Sequence, residues 1–291
     1  MLDFRPVTLD DSTLLRRLLG GEGRICDSTA GTVLMWRRYF DTRIAFAGET
    51  AVLRASYRGR DVFTRPFGPD PDGAVGAIID FARENSLPAE FGFLDEESAK
   101  HLAERFGAAV TQDADGADFL YPAENFIAYA GKHLREKRNH LYQFRREYPD
   151  AVFEPIGDAN IHEVMTFFEA YRAENGSDEA LAATENDICC EVLENRGSYG
   201  FLSLALRIDG GIRAFTAGEV AGDTLFVHIE KADRNTRGAY QAIASEFVKS
   251  VPGISFVNRE DDSGDPGLKK SKMSYRPCAL LGKYTAVVLP E

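Results

Sequence analysis

The sequence predicts an α+β fold, with mixed, mostly antiparallel sheets flanked by helices, and three observations predict it. Short runs rich in β-branched, Phe and Ala residues are separated by turn signals of two or three residues, the pattern of an antiparallel meander. Segments with helical apolar spacing follow groups of strands instead of alternating with every strand, which disfavours a doubly wound parallel sheet. The same order is then traversed a second time, and 291 residues with a hydrophobic fraction of 44% suffice for two modules with separate cores.

In the first passage, Asp10-Asp11-Ser12 opens a helix expected over residues 11–19, and a short amphipathic segment is expected over 35–39. Strands are expected over 43–47, 51–57 and 61–64, with hairpin turns at Gly48-Glu49 and Arg58-Gly59-Arg60. Residues 72–85 space their apolar side chains as a helix does, 90–94 as a strand, and 96–106 as a helix that Gly107 ends. The second passage has helices over 160–174 and 180–195 and strands over 199–208, 211–220 and 224–230. It closes with a helix over 238–251, a strand over 254–258, a short helix over 266–273 and a last strand over 284–289. The modules so outlined are an N-terminal one at 1–117 and a C-terminal one at 118–291.

Charge and composition remove several function classes. A net charge of −12 argues against coating nucleic acid or an anionic membrane through the overall field. No G-x-G-x-x-G follows the first strand and no G-x-x-x-x-G-K-[ST] occurs, so nucleotide folds lose support. Cys26, Cys189, Cys190 and Cys278 are spaced too irregularly for a disulfide framework and contain no C-x-x-C pair, so reduced thiols are expected. The N-terminus carries no apolar run of signal-peptide type, and apolar stretches such as 285–289 fall far short of the roughly 20 residues that span a bilayer. A cytoplasmic location without stable membrane insertion is expected.

Three segments carry candidate chemistry. Residues 131–146 hold six Lys/Arg against one Glu, with Leu134, Leu141 and Phe144 on one stripe of a helix. Lys137, Arg138 and Asn139 there are read either as part of a solvated face or as contacts to the phosphates of a lipid, a tRNA or a coenzyme. In the second segment, strand alternation puts His228 and Glu230 on one face, opposite Val227 and Ile229, as a proton-transfer pair or as mutual hydrogen-bond partners. That strand runs through a basic loop to Arg237-Gly238-Ala239 at a helix start, which is either an anion cradle or simply a place where Gly238 permits close packing. The third segment, Val257 to Pro277, sets Glu260, Asp261 and Asp262 before a Gly/Pro turn and a basic helical turn. Its opposite charges either surround a polar substrate or satisfy each other. The acidic run lacks the D-x-[DN]-x-[DN]-G pattern, and no metal is expected.

Together the strings ENFIAYAGKHLREKRNHLYQFRREYPD, FVHIEKADRNTRGAYQAIASEF and FVNREDDSGDPGLKKSKMSYRPCALLGKY resemble the bacterial family related to the C-terminal domain of phosphatidylglycerol lysyltransferase. The resemblance covers about residues 118–291 and implies tandem acyltransferase modules similar to the Gcn5-related N-acetyltransferases (GNAT), the N-terminal one degenerate. In the membrane-bound relatives this domain passes an aminoacyl group from aminoacyl-tRNA to phosphatidylglycerol; the sequence here shows no transmembrane part. The related N-acetyltransferases bind the coenzyme pyrophosphate through R/Q-x-x-G-x-G/A, whereas Arg234-x-x-x-Gly238-Ala239 is one residue out of register. By resemblance the recurring polar positions are Lys137, Arg138, Asn139, His228, Glu230, Lys231, Asn258, Arg259, Glu260, Asp261, Lys269, Lys270, Lys272 and Tyr275. The family pattern has Arg where Lys269 stands.

These readings imply transfer of an aminoacyl or acyl group from aminoacyl-tRNA or acyl-CoA, with no permanently bound cofactor. The acceptor is a hydroxyl or amine of a small molecule or lipid headgroup, and tRNA is the implied macromolecular partner. Glu230 or His228 is the expected base, Arg259 orients the acceptor, and Tyr275 donates a proton to the leaving group. Lys269, Lys270 and Lys272 neutralise phosphate or carboxylate, and Arg237, Gly238 and Ala239 are the expected coenzyme contacts. The alternative is a non-catalytic module that senses an aminoacyl, acyl or peptidyl metabolite on the same fold.

Overall fold

The computed structural model describes residues 2–21, 23–175 and 180–289. In chain order the elements are β1 (Arg5–Pro6), α1 (Ser12–Leu19), α2 (Ala30–Trp36), β2 (Arg43–Ala47), β3 (Thr50–Tyr57), β4 (Arg60–Phe63), α3 (Pro71–Glu84), β5 (Ala89–Leu94), α4 (Glu96–Phe106) and β6 (Ala109–Pro122). They continue with α5 (Glu124–Ile127), α6 (Arg135–Glu147), β7 (Val152–Pro155), α7 (Ile161–Asn175), α8 (Ala180–Glu194), α9 (Arg196–Tyr199), β8 (Leu202–Ile208), β9 (Gly211–Ala221) and β10 (Thr224–Ala232). The last are α10 (Ala239–Ser250), β11 (Phe256–Asn258), α11 (Pro266–Met273) and β12 (Ala279–Val288).

The predicted α+β architecture is present, and its repeat is visible in the pairing. An antiparallel meander β2-β3-β4 is followed by α3 and then by β5, which pairs parallel to β4. The meander β8-β9-β10 is likewise followed by α10 and by β11, parallel to β10. A parallel neighbour requires a crossover long enough to return along the sheet, and each helix provides it.

Local chemistry starts these helices where the sequence suggests. Asp70, Asp95 and Asp265 each accept a hydrogen bond from the third amide of their helix, and Pro71 and Pro266 occupy first-turn positions where no amide donor is needed. Several elements differ from expectation, among them β1, α5 and β7, which the sequence did not indicate. The amphipathic segment forms its helix earlier, at α2; the strand expected from residue 199 begins at Leu202, after the single turn of α9; and β6 was not anticipated at all. β6 contains the polar run TQDADGAD, which hides the two-residue alternation, so tertiary pairing decides it.

The chain forms two compact units. The first comprises residues 1–118, 261–264 and 280–291, and the second 119–260 and 265–279. The C-terminal module outlined from the sequence is therefore not one continuous block. β12 pairs antiparallel with β5 in the first unit, so that unit takes a strand from the far end of the chain, and the end of β6 pairs with β11 in the second. The first unit packs Val52, Phe63, Ile78, Phe91 and Leu102 around its sheet. The second packs Phe119, Tyr121, Phe126, Leu225, Val227 and Phe247. Among the described residues no helix is long and apolar enough to cross a membrane.

Candidate active site

The site in the second unit is created where two parallel strands part. β10 and β11 pair only through Thr224–Phe226 and Phe256–Asn258, after which β10 continues to Ala232 and β11 stops. Arg259, the first residue beyond β11, reaches back to Glu230 of β10 with Nη2 2.6 Å from Oε1. Both side chains are buried, and the pair is charge-assisted. Burial pushes the Glu230 carboxyl above its ordinary range, while Arg259 and Lys272 pull the other way.

Aromatic rings pack against Arg259. Tyr275 stacks on Phe126 with centroids 5.5 Å apart, Arg259 lies 4.9 Å from the Tyr275 ring centroid, and Lys137 Nζ lies 4.4 Å from the same centroid. Gln241 Nε2 donates to Tyr275 Oη at 2.8 Å, and Arg259 also hydrogen-bonds that side chain. With both partners donating to its oxygen, the Tyr275 hydroxyl keeps its own proton to give. Burial raises the phenol's pKa, so that proton stays in place. Burial also lowers the pKa of the half-buried Lys137.

His228 is not part of this constellation, and the reason is a β-bulge. Val227 pairs with Gly218 and Ile229 with Ala217, leaving His228 as an extra residue between them. Gly218 is required there, since an added Cβ would lie 2.1 Å from the Phe226 carbonyl oxygen. The extra residue flips the pleat, so Glu230 shares a face with Val227 and Ala232, the face that packs Phe126 and Tyr275. Strand alternation alone had put His228 and Glu230 together; the bulge separates them. The His228 ring is instead held by Glu260 at 2.7 Å through Nδ1 and Glu219 at 3.1 Å through Nε2, against the ring of Phe201.

Burial by itself would depress the His228 pKa, but its two carboxylate partners more than offset that and lift it to about 9. A carboxylate on each ring nitrogen favours the imidazolium, which has no free lone pair with which to accept a proton. With the folded value above the ordinary one, the clamp contributes stability that is complete below about pH 6.5 and lost as pH rises through about 9. We expect a decline on the order of a few kcal/mol across that window in wild-type protein and a flatter profile in His228→Gln, read by urea denaturation at several pH values. Parallel profiles would show that the clamp is not titrating.

The remaining predicted residues divide by location. Asn258 Oδ1 accepts from the Glu260 amide at 2.6 Å, and Lys272 Nζ donates to the Arg259 carbonyl at 2.6 Å, so both shape the turn after β11. Lys272 is buried in that role and does not face a phosphate, contrary to the sequence expectation. Lys269 and Lys270 are exposed on α11. Lys231 points away from Glu230 and donates to Glu185 at 2.6 Å. Arg138 is spent on the carbonyls of Tyr129 and Gly131, both at 2.8 Å, and Asn139 is exposed.

Asp261 belongs to a charge cluster in the first unit, where Lys283 Nζ lies 3.0 Å from Asp261, 2.7 Å from Asp27, 3.0 Å from Asp118 and 3.4 Å from Cys26 Sγ. Cys26, Asp27 and Asp118 have ligand atoms close enough to hold a metal ion, and the Lys283 ammonium supplies positive charge among them.

The loop proposed as a coenzyme cradle is occupied by its own chain. Asp233 accepts from the Asn235 amide and the Thr236 hydroxyl, both at 2.8 Å. Gly238, at φ 82°, faces α6 so closely that an added Cβ would lie 2.6 Å from the His140 carbonyl oxygen. Ala239 is buried and Arg237 exposed. Close packing against α6 accounts for Gly238. Sequence reasoning missed Gln241, Phe126 and Glu219, whose types carry no local signal apart from their partners.

Residues 22–287 match the family model described as phosphatidylglycerol lysyltransferase, C-terminal. An uncharacterized protein of Mycoplasmoides gallisepticum is 25% identical over 175 residues, and that match spans 59% of this chain and 56% of the relative's length. A crystal structure of a conserved protein of unknown function from Bacteroides thetaiotaomicron superposes with TM-score 0.92 at 28% identity, over 99% of this chain and all of that one. L-PGS from Bacillus licheniformis superposes with TM-score 0.66 at 14% identity, over 96% and 91% of the two chains. FemX does so with TM-score 0.60 at 9% identity, over 99% and 97%. The last two show a shared fold.

Proposed function

The chain belongs to the phosphatidylglycerol lysyltransferase C-terminal family, and on that premise we propose that it transfers an aminoacyl group from aminoacyl-tRNA to a hydroxyl or amine acceptor at Glu230, Arg259 and Tyr275. The observation that carries the reading is the Glu230–Arg259 ion pair at the parting of β10 and β11, beside a tyrosine whose hydroxyl oxygen accepts hydrogen bonds from Gln241 and Arg259. The attacking oxygen or nitrogen loses its proton to Glu230 as its bond to the acyl carbon forms. Arg259 faces the negative charge that develops on the carbonyl oxygen. As the ester bond breaks, Tyr275 protonates the departing oxygen, and the proton on Glu230 restores the balance through solvent.

An acyl-CoA donor is disfavoured by α6 lying over Gly238 and by the Asp233 carboxylate in the loop. The acceptor is a small molecule or a lipid headgroup.

The test is single-turnover transfer from a pool of aminoacyl-tRNAs carrying labelled amino acids, with phosphatidylglycerol vesicles and with mixed small hydroxyl and amine compounds as acceptors. Label should leave the RNA for one acceptor class, and Glu230→Gln should slow it about a hundredfold. Consumption of acyl-CoA instead would redirect the donor. Retention of an aminoacyl ligand without turnover would identify a sensing module.

A further inference from the structure

Beside the transfer site, the second unit contains a cavity of about 330 Å³ lined by Asn125, Ala130, Gly131, His133, Leu134 and Arg276. Its size falls at the small end of ligand pockets, which run from roughly 300 to 1,000 Å³. No carboxylate lines it, although the chain holds 46 Asp and Glu. An arginine, an imidazole and an amide do, and Lys132 and Arg135 flank it in sequence. The Arg276 guanidinium and the His133 ring have no hydrogen-bonded or ion-paired partner among the described residues.

Two further features make Arg276 informative. It stands at φ 59°, the left-handed region, where glycine would be free of steric cost and an arginine is not. Its backbone carbonyl accepts from Asn125 Nδ2 at 3.3 Å, which ties the two lining residues together. The cavity is also continuous in sequence with the transfer site. Arg276 follows Tyr275, and Leu134 lies one helical turn before Lys137, whose ammonium is over the Tyr275 ring. Lys137 itself has no carboxylate bonded to it among the described residues.

The geometry points to this cavity as the subsite for a phosphate ester of the donor, with Arg276 and His133 as its principal contacts and Asn125 and the Gly131 backbone completing it. Guanidinium binds phosphate oxygens in a fork, and a site free of acids within a chain of net charge −12 lowers the repulsion such a ligand would meet elsewhere. The identity of the ester, as the terminal phosphodiester of the donor RNA, rests on the transferase reading. Binding is measured without turnover, so failure of one does not imply failure of the other.

The experiment is equilibrium binding of the trinucleotide CCA, the 3′ end of a tRNA, by titration calorimetry at two salt concentrations, with inorganic phosphate and coenzyme A as separate probes. CCA should bind, weaken with added salt, and lose about tenfold or more in affinity in Arg276→Gly and His133→Ala. Arg276→Gly suits the local φ, so loss of binding cannot be attributed to misfolding, and Arg276→Lys should recover part of the affinity. Unchanged CCA affinity in Arg276→Gly overturns the subsite. Inorganic phosphate binding as tightly as CCA, or coenzyme A binding through Arg276 while CCA does not, overturns its assignment to the donor RNA.

Discussion

Replacing Lys283 with methionine is expected to lower the stability of the protein by about 3–5 kcal/mol, the loss typical of a buried ion network deprived of one partner. Lys283 projects from β12 into the first unit, where Asp27, Asp118 and Asp261 share its ammonium. The Asp118 side chain is fully buried and also accepts from the Cys26 amide at 2.6 Å and the Cys26 thiol at 3.3 Å. Burial works against the ammonium, yet the surrounding carboxylates raise its pKa well above the ordinary value, so it stays charged. Methionine fills similar space but leaves three acids without their counter-ion. The change in urea midpoint at constant m-value measures the effect, and a loss under about 1 kcal/mol would mean that the acids find other partners or protonate at little cost. Adding Asp118→Asn to Lys283→Met should recover part of the loss, because it removes one of the unpaired charges.

Tyr275→Phe is expected to reduce the single-turnover transfer rate by about 10² to 10⁴ while leaving donor affinity and folding near wild type. The ring remains to stack on Phe126 and to face Lys137 and Arg259. What disappears is the hydroxyl whose oxygen accepts from Gln241 and Arg259. Measuring binding and rate separately distinguishes loss of a proton donor from loss of packing. An unchanged rate would remove Tyr275 from the chemistry and leave Arg259 to assist the leaving oxygen alone.

Much of the fold was legible because it is written locally. The hairpin turns at Gly48-Glu49 and at Arg58-Gly59-Arg60 lie between strands that do pair, and the helices expected over 72–85, 96–106 and 266–273 do form. The polar positions Glu230, Arg259, Tyr275 and Lys137 were legible as a group, since each lies in one of the three chemistry-bearing segments, and the structure brings these four together. His228 and Lys272 were misread because residue type says nothing about which partner claims the side chain. A carboxylate on each ring nitrogen of His228 claims both of its nitrogens, and two carbonyls fix Lys272 in the turn after β11.

The meanders, the helix starts and their twofold recurrence follow from interactions between residues a few positions apart, so periodicity and turn chemistry suffice to specify them. Three decisions required the folded chain. The bulge at His228 depends on Gly218 across the ladder, the Lys283 cluster gathers residues 26, 27, 118 and 261, and β12 closes the first unit by pairing with β5. In each, a side chain or strand gains a partner far along the chain, and only burial beside that partner sets its charge, its face and its role.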